Sequence, residues 1–140
     1  MLFRSFDPGT SHVIPALFRK MIEAKNCGHE FIELWGTGRA TRDFLYVQDC
    51  AEAIVKALEA DTGDKWINLG SGREISIADT AKVVAEVVGY KGAIEWDLLK
   101  PDGQPRRCLD ITRAKQLLGW EPTTRLRDGL GLTYESLLSS

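Results

Sequence analysis

No stretch of this 140-residue chain approaches the ~20 consecutive apolar residues of a membrane-spanning helix, so a bilayer span is not expected. Cysteine is scarce and odd in number. Cys27, Cys50 and Cys108 form no C-x-x-C pair and lie too far apart for a disulfide framework, which points to reduced thiols and a cytoplasmic setting. A basic excess is missing as well: 18 Lys plus Arg stand against 20 Asp plus Glu, a net charge of −2, which argues against a general binder of nucleic acid or anionic membrane. The few basic residues that cluster, Arg106, Arg107, Arg113 and Lys115, read as a solvated face in an acidic chain. The start, Met1-Leu2-Phe3-Arg4-Ser5, is too short and abruptly polar for a signal peptide. With only two histidines, His12 and His29, no metal-ligand spacing emerges, and neither sits in the elbow context of an acyl-transfer nucleophile.

The motifs of nucleotide-cofactor chemistry are also missing. A dinucleotide-binding unit opens with a strand running into G-x-G-x-x-G and a helix, whose terminal amides meet the pyrophosphate. Gly36-Thr37-Gly38 and Gly70-Ser71-Gly72 supply two glycines each but no spaced third, and no G-x-x-x-x-G-K-[ST] loop exists. Short-chain reductases use a Tyr four residues before a Lys, the cation easing loss of the phenolic proton. Tyr46, Tyr90 and Tyr134 are followed at that spacing by Cys50, Ile94 and Leu138, so the pair is absent.

What remains is one domain of ordinary globular composition, 44% hydrophobic and 27% charged. Ile14, Leu17, Phe18, Met21 and Ile22 recur at helical spacing, Pro15 suits a first turn, and Gly28 closes the segment, predicting a helix over 14–24. Residues 31–35 and 43–47 read as short strands around a loop bearing Arg39 and Arg42. Asp49 with Glu52 three residues on predicts a capped helix whose stripe is Ile54, Val55 and Leu58. Residues 66–69 read as a strand, and Ser76 with Asp79 caps a helix over 77–88 that Gly89 ends. A strand over 93–96, a polar loop over 97–107 and helices over 112–118 and 126–138 complete the chain. Strands alternating with helices make it mixed α/β, with too few strands for a complete doubly wound sheet.

With these residues laid out, the chain resembles the C-terminal half of the GDP-L-fucose synthases, the GDP-4-keto-6-deoxy-mannose epimerase/reductases of the extended short-chain dehydrogenase/reductase family. The likeness runs from Phe6-Asp7-Pro8 into Ser11-His12-Val13-Ile14-Pro15, then Trp35-Gly36-Thr37-Gly38, Arg42-Asp43-Phe44-Leu45-Tyr46-Val47, Ile67-Asn68-Leu69-Gly70-Ser71-Gly72, and Lys100-Pro101-Asp102-Gly103 with Pro105-Arg106-Arg107. It implies an α/β fold: the C-terminal substrate-binding portion of an extended short-chain dehydrogenase/reductase, over 6–140, with a few strands and helices left over from the Rossmann sheet. The same resemblance implies that residues 1–5 fall outside the match and that the NADP-binding N-terminal domain is absent from this chain.

The resemblance implies that this portion grips a GDP-sugar. His12 falls on the family's acid/base histidine, which works with a cysteine of the other half near the nicotinamide end of the cofactor, and a histidine just ahead of a helix leans toward its neutral form. Arg42 and Arg107 match positions that hold the diphosphate, where a guanidinium makes bidentate charge-assisted bonds. Lys20 stands where the family has Arg, Trp35 matches a substrate-contacting tryptophan, and Asp102 is a candidate acceptor for a sugar or ribose hydroxyl or a plain turn former. NADP is the family's cofactor and is not expected to bind this chain alone. Other readings are the substrate domain of a different nucleotide-sugar epimerase or dehydratase, or a non-catalytic α/β binding module. Without the nucleotide-binding half, apolar surface around Ile54, Val55, Leu58 and Ile67 is expected to be exposed, favouring self-association or capture of that half.

Overall fold

The computed structural model describes residues 12–139, so residues 1–5, expected from the resemblance not to match, and the Phe6-Asp7-Pro8 motif lie outside the described residues. Within them the order is α1 (Val13–Cys27), β1 (Phe31–Trp35), β2 (Thr41–Arg42), α2 (Val47–Glu59), β3 (Ile75–Ser76), α3 (Ile77–Val88), β4 (Ala93–Asp97), β5 (Arg106–Arg107), α4 (Thr112–Leu118) and α5 (Leu126–Leu138). Two small sheets form. β1 pairs with β4 in parallel, Ile32 opposite Ile94 and Trp35 opposite Asp97. β2 lies between an antiparallel β3 and a parallel β5.

The main core follows from the apolar stripes. α1 buries Leu17, Phe18, Met21 and Ala24, and β1 alternates Ile32 and Leu34 inward with Phe31, Glu33 and Trp35 outward. α3 adds Ala81, Val84 and Val88, and α5 adds Leu130, with Tyr134 stacked on Phe18 at 5.9 Å between ring centroids. The valine-rich segment is a helix despite the strand preference of its residues. Each valine gives up about 0.7 kcal/mol or less against Ala in helix propensity. Burying Val84 and Val88 returns roughly 1.5–3 kcal/mol apiece. Both ends are fixed locally: the Asp79 amide donates to Ser76 Oγ at 3.0 Å, and Gly89 stops the helix in the left-handed region at φ 73°.

A second, smaller core joins α2 to α4 through Ala53, Ala114, Leu118 and Trp120, with Leu45, Ile67 and Leu69 at its margin. Here the sequence expectations need correction. Residues 43–47 do not form a strand: the ladder ends at Arg42, residues 43–46 leave it, and α2 begins at Val47. The Asp43 carboxylate draws the chain away by accepting backbone amides from two other loops. Residues 66–69 have no strand partner among the described residues and run as an irregular segment, anchored where Asn68 Nδ2 donates to the Asp110 carbonyl at 3.2 Å. Asp49 does not cap α2. It lies buried in the first turn and accepts from the Thr123 and Thr124 amides and the Thr123 hydroxyl. Ile54, Val55 and Leu58 are exposed as expected, Leu58 at 83%, and Trp66 joins them, whereas Ile67 is half-buried against the second core.

Candidate functional site

β2 and β5 place the two arginines. Their parallel register sets Arg42 opposite Arg107, so both side chains leave the same face of a sheet only two residues long. Arg42 Nη1 donates to its neighbour Thr41's carbonyl and to the Gln104 carbonyl, each at 2.7 Å, which orients the guanidinium across the loop that follows β4. Arg107 is exposed. The start of α1 brings His12 to the same place as its N-cap residue, with no side-chain capping bond. His12, Arg42 and Arg107 thus share one cleft of about 390 Å³, floored by Val13, Ile14, Phe44 and Leu109 and bordered by Asp43.

The remaining candidates lie outside that cleft: Lys20 on α1, Trp35 at the end of β1 and Asp102 in the loop after β4. Asp102 clasps the turn after β1, its two oxygens accepting from the Thr37 amide at 2.5 Å and the Thr37 hydroxyl at 2.8 Å. Those bonds, aided by the Arg39 charge, hold its carboxyl below the usual range. Gly36 permits the approach: at φ 79°, an added Cβ would lie 2.3 Å from Asp102 Oδ1. Trp35 is 63% exposed, with the Lys100 ammonium 5.4 Å from its ring centroid. Lys20 Nζ donates to the Glu33 carbonyl at 2.7 Å, so it sits on β1 rather than in the arginine cleft.

Sequence reasoning missed Asp43. It is half-buried and accepts from the Ser71 amide at 2.7 Å, the Ser71 hydroxyl at 2.5 Å, the Gly72 amide at 3.1 Å and the Leu109 amide at 3.2 Å. Its only local signal was a carboxylate directly after a phosphate-type arginine. Burial first, then the Asp43 and Glu74 charges, push the neighbouring Cys108 thiol up, which keeps it protonated and unsuited to nucleophilic work. The basic cluster is dispersed: Arg106 pairs with Glu74, Lys115 with Glu121, and Arg113 donates to the Trp66 carbonyl.

A dinucleotide does not fit the two glycine loops. The amides that would cradle a pyrophosphate are engaged, Thr37 with Asp102 and both Ser71 and Gly72 with Asp43. Each loop already holds a carboxylate of the chain itself. No helix among the described residues is long and apolar enough to cross a membrane.

Comparison with known proteins agrees with this architecture. Residues 2–70 match the NAD dependent epimerase/dehydratase family. GDP-L-fucose synthase 1 of Arabidopsis thaliana is 46% identical over 136 residues, covering 97% of this chain and 42% of its own length. A UDP-glucose 4-epimerase from Thermotoga maritima, solved with UDP-glucose, superposes with a TM-score of 0.81 at 30% identity over 95% of this chain and 41% of that one. A GDP-L-fucose synthetase from Naegleria fowleri shares the fold at a TM-score of 0.89 and 23% identity, over 96% and 41%. The chain therefore spans about two fifths of the length of each of these proteins. In sequence and in fold the chain is similar to members of the NAD dependent epimerase/dehydratase family, and its extent is consistent with the C-terminal half of a GDP-L-fucose synthase.

Proposed function

We propose that this chain is the GDP-sugar-binding portion of an NADP-dependent GDP-4-keto-6-deoxymannose 3,5-epimerase/4-reductase, working in the cytoplasm beside a nucleotide-binding half. The observation that carries the reading is the meeting of His12, Arg42 and Arg107, remote in sequence, in one cleft. Two guanidiniums on one face offer a fork for each phosphate of a diphosphate, and such charge-assisted bonds are worth about 1.5–3 kcal/mol each. Trp35 provides an exposed aromatic face for the base or sugar, and the Lys100 charge above it favours an anionic neighbour. Lys20, tied to the Glu33 carbonyl outside the arginine cleft, adds only positive charge beside β1, and Asp102, held as a carboxylate, accepts a hydroxyl with the lone pairs Thr37 leaves over. His12, at the lip of the cleft, exchanges the proton at the sugar carbon being inverted. The hydride belongs to NADP in the other half, and no step of it is assigned to these residues.

Calorimetric titration of the purified chain with GDP, GDP-mannose and UDP-glucose tests the proposal. Preference for the guanine compounds, lost in Arg42→Ala, is the expected result. Equal or better binding of UDP-glucose would move the assignment to another nucleotide-sugar epimerase or dehydratase, and absence of binding to all three would favour a non-catalytic module.

A further inference from the structure

Two like charges set directly opposite each other across paired strands repel, and here they do so in a sheet whose strands are two residues long. Beyond this two-residue ladder, β5 is held to β2 by the Thr41 amide donating to the Pro105 carbonyl, by the Arg42 bond to the Gln104 carbonyl, and by Glu74, which pairs with Arg106 and accepts from the Thr41 hydroxyl. A further restraint comes from the residue after Arg42. One oxygen of Asp43 takes the amide and hydroxyl of Ser71, and the other takes the amides of Gly72 and Leu109, two positions beyond Arg107. The loop at Gly70 comes close enough that an added Cβ would lie 2.7 Å from Asp43 Oδ2. One carboxylate thereby ties three separate chain segments together beneath the arginine pair.

We infer that Asp43 is a positioning residue: it fixes the separation of Arg42 and Arg107, so that both guanidiniums face one diphosphate. The inference rests on the nucleotide-sugar reading for the identity of the anion. The Asp43 charge also offsets the repulsion between the two guanidiniums. Asn at this position keeps one acceptor oxygen but turns an NH2 group toward amides that are themselves donors, so one side of the clamp opens.

The test is a double-mutant cycle read by calorimetry with GDP and with inorganic pyrophosphate. Asp43→Asn is expected to weaken both ligands about 10-fold in the wild-type background and less than about 2-fold when Arg107 is already Ala, the coupling expected of residues that act through one another. Equal losses in the two backgrounds, or no loss, would overturn the inference, because a merely structural carboxylate gives additive effects. Amide hydrogen exchange supplies a readout that needs no ligand. Asp43→Asn should speed exchange at Ser71, Gly72 and Leu109 while Phe18, Met21 and Val84 in the main core stay protected, and unchanged rates at the three loop amides would also overturn it. Wild type that binds neither ligand would defeat the nucleotide-sugar reading while the exchange pattern still decides the clamp. Should Asp43→Asn fail to fold, Asp43→Glu keeps the charge and shifts its position, and wild-type affinity in that variant would count against the inference.

Discussion

Replacing Arg107 with Ala separates binding from folding. Its side chain is exposed and makes no ion pair or hydrogen bond among the described residues, so its loss should leave stability within about 0.5 kcal/mol of wild type. On the proposed function it faces the same anion as Arg42 in this cleft, where one charge-assisted bond is worth about 1.5–3 kcal/mol, so Arg107→Ala should lose about 10- to 150-fold in GDP affinity. Arg42→Ala behaves differently, because Nη1 also holds the Thr41 and Gln104 carbonyls; it should lose affinity and lower the melting temperature together. Calorimetry gives the affinities and a thermal melt gives the stabilities. An Arg107→Ala chain that binds GDP as wild type does would refute the shared-anion argument. One that melts many degrees lower would refute the claim that Arg107 is a surface residue held for a ligand.

Other parts of the structure give sharp contrasts. Gly131 sits inside α5 with nothing within 4 Å of an added Cβ, so Gly131→Ala should stabilise by about 0.5–1 kcal/mol in urea unfolding, whereas Gly36→Ala should destabilise by more than that and release the Asp102 clasp. Burial raises the Asp49 pKa, but the bonds from Thr124 and Thr123 outweigh it and hold the group below its usual range. A depressed folded pKa contributes stability that is present above the unfolded value and lost as pH falls through the folded one, so acid unfolding below about pH 4 should be shallower in Asp49→Asn. The same variant should lose about 1.5–3 kcal/mol at neutral pH, measured by denaturant melts. Leu58→Asp with Val55→Asp should abolish binding of a hydrophobic dye and any concentration-dependent light scattering, because those side chains form the exposed face of α2.

How much of this was legible beforehand depended on where each residue's partner lay. α1, β1, α3 and β4 were readable because periodicity and local caps determine them: Gly28 and Gly89 take the left-handed region, and Ser76 caps its own helix. The strand expected over 43–47 and the cap expected at Asp49 failed for one cause. Local β preference at 43–47 and a capping pattern at Asp49 say nothing of a carboxylate that accepts amides from a loop far along the chain, and here both aspartates do so. The strand expected over 66–69 failed for a related reason, since an apolar run becomes a strand only where a partner edge meets it. The candidate site residues were singled out only through family resemblance. Nothing in the local sequence pairs Arg42 with Arg107, and their meeting depends on the β2–β5 register.

The most direct test of the account is a map of backbone and side-chain NMR shift changes on adding GDP to the chain. The account predicts changes centred on Arg42, Asp43, Arg107, Leu109 and His12, spreading to the Trp35 indole through the loop that carries Asp102. Changes confined to another surface, such as the exposed face of α2, or none at saturating GDP, would contradict it.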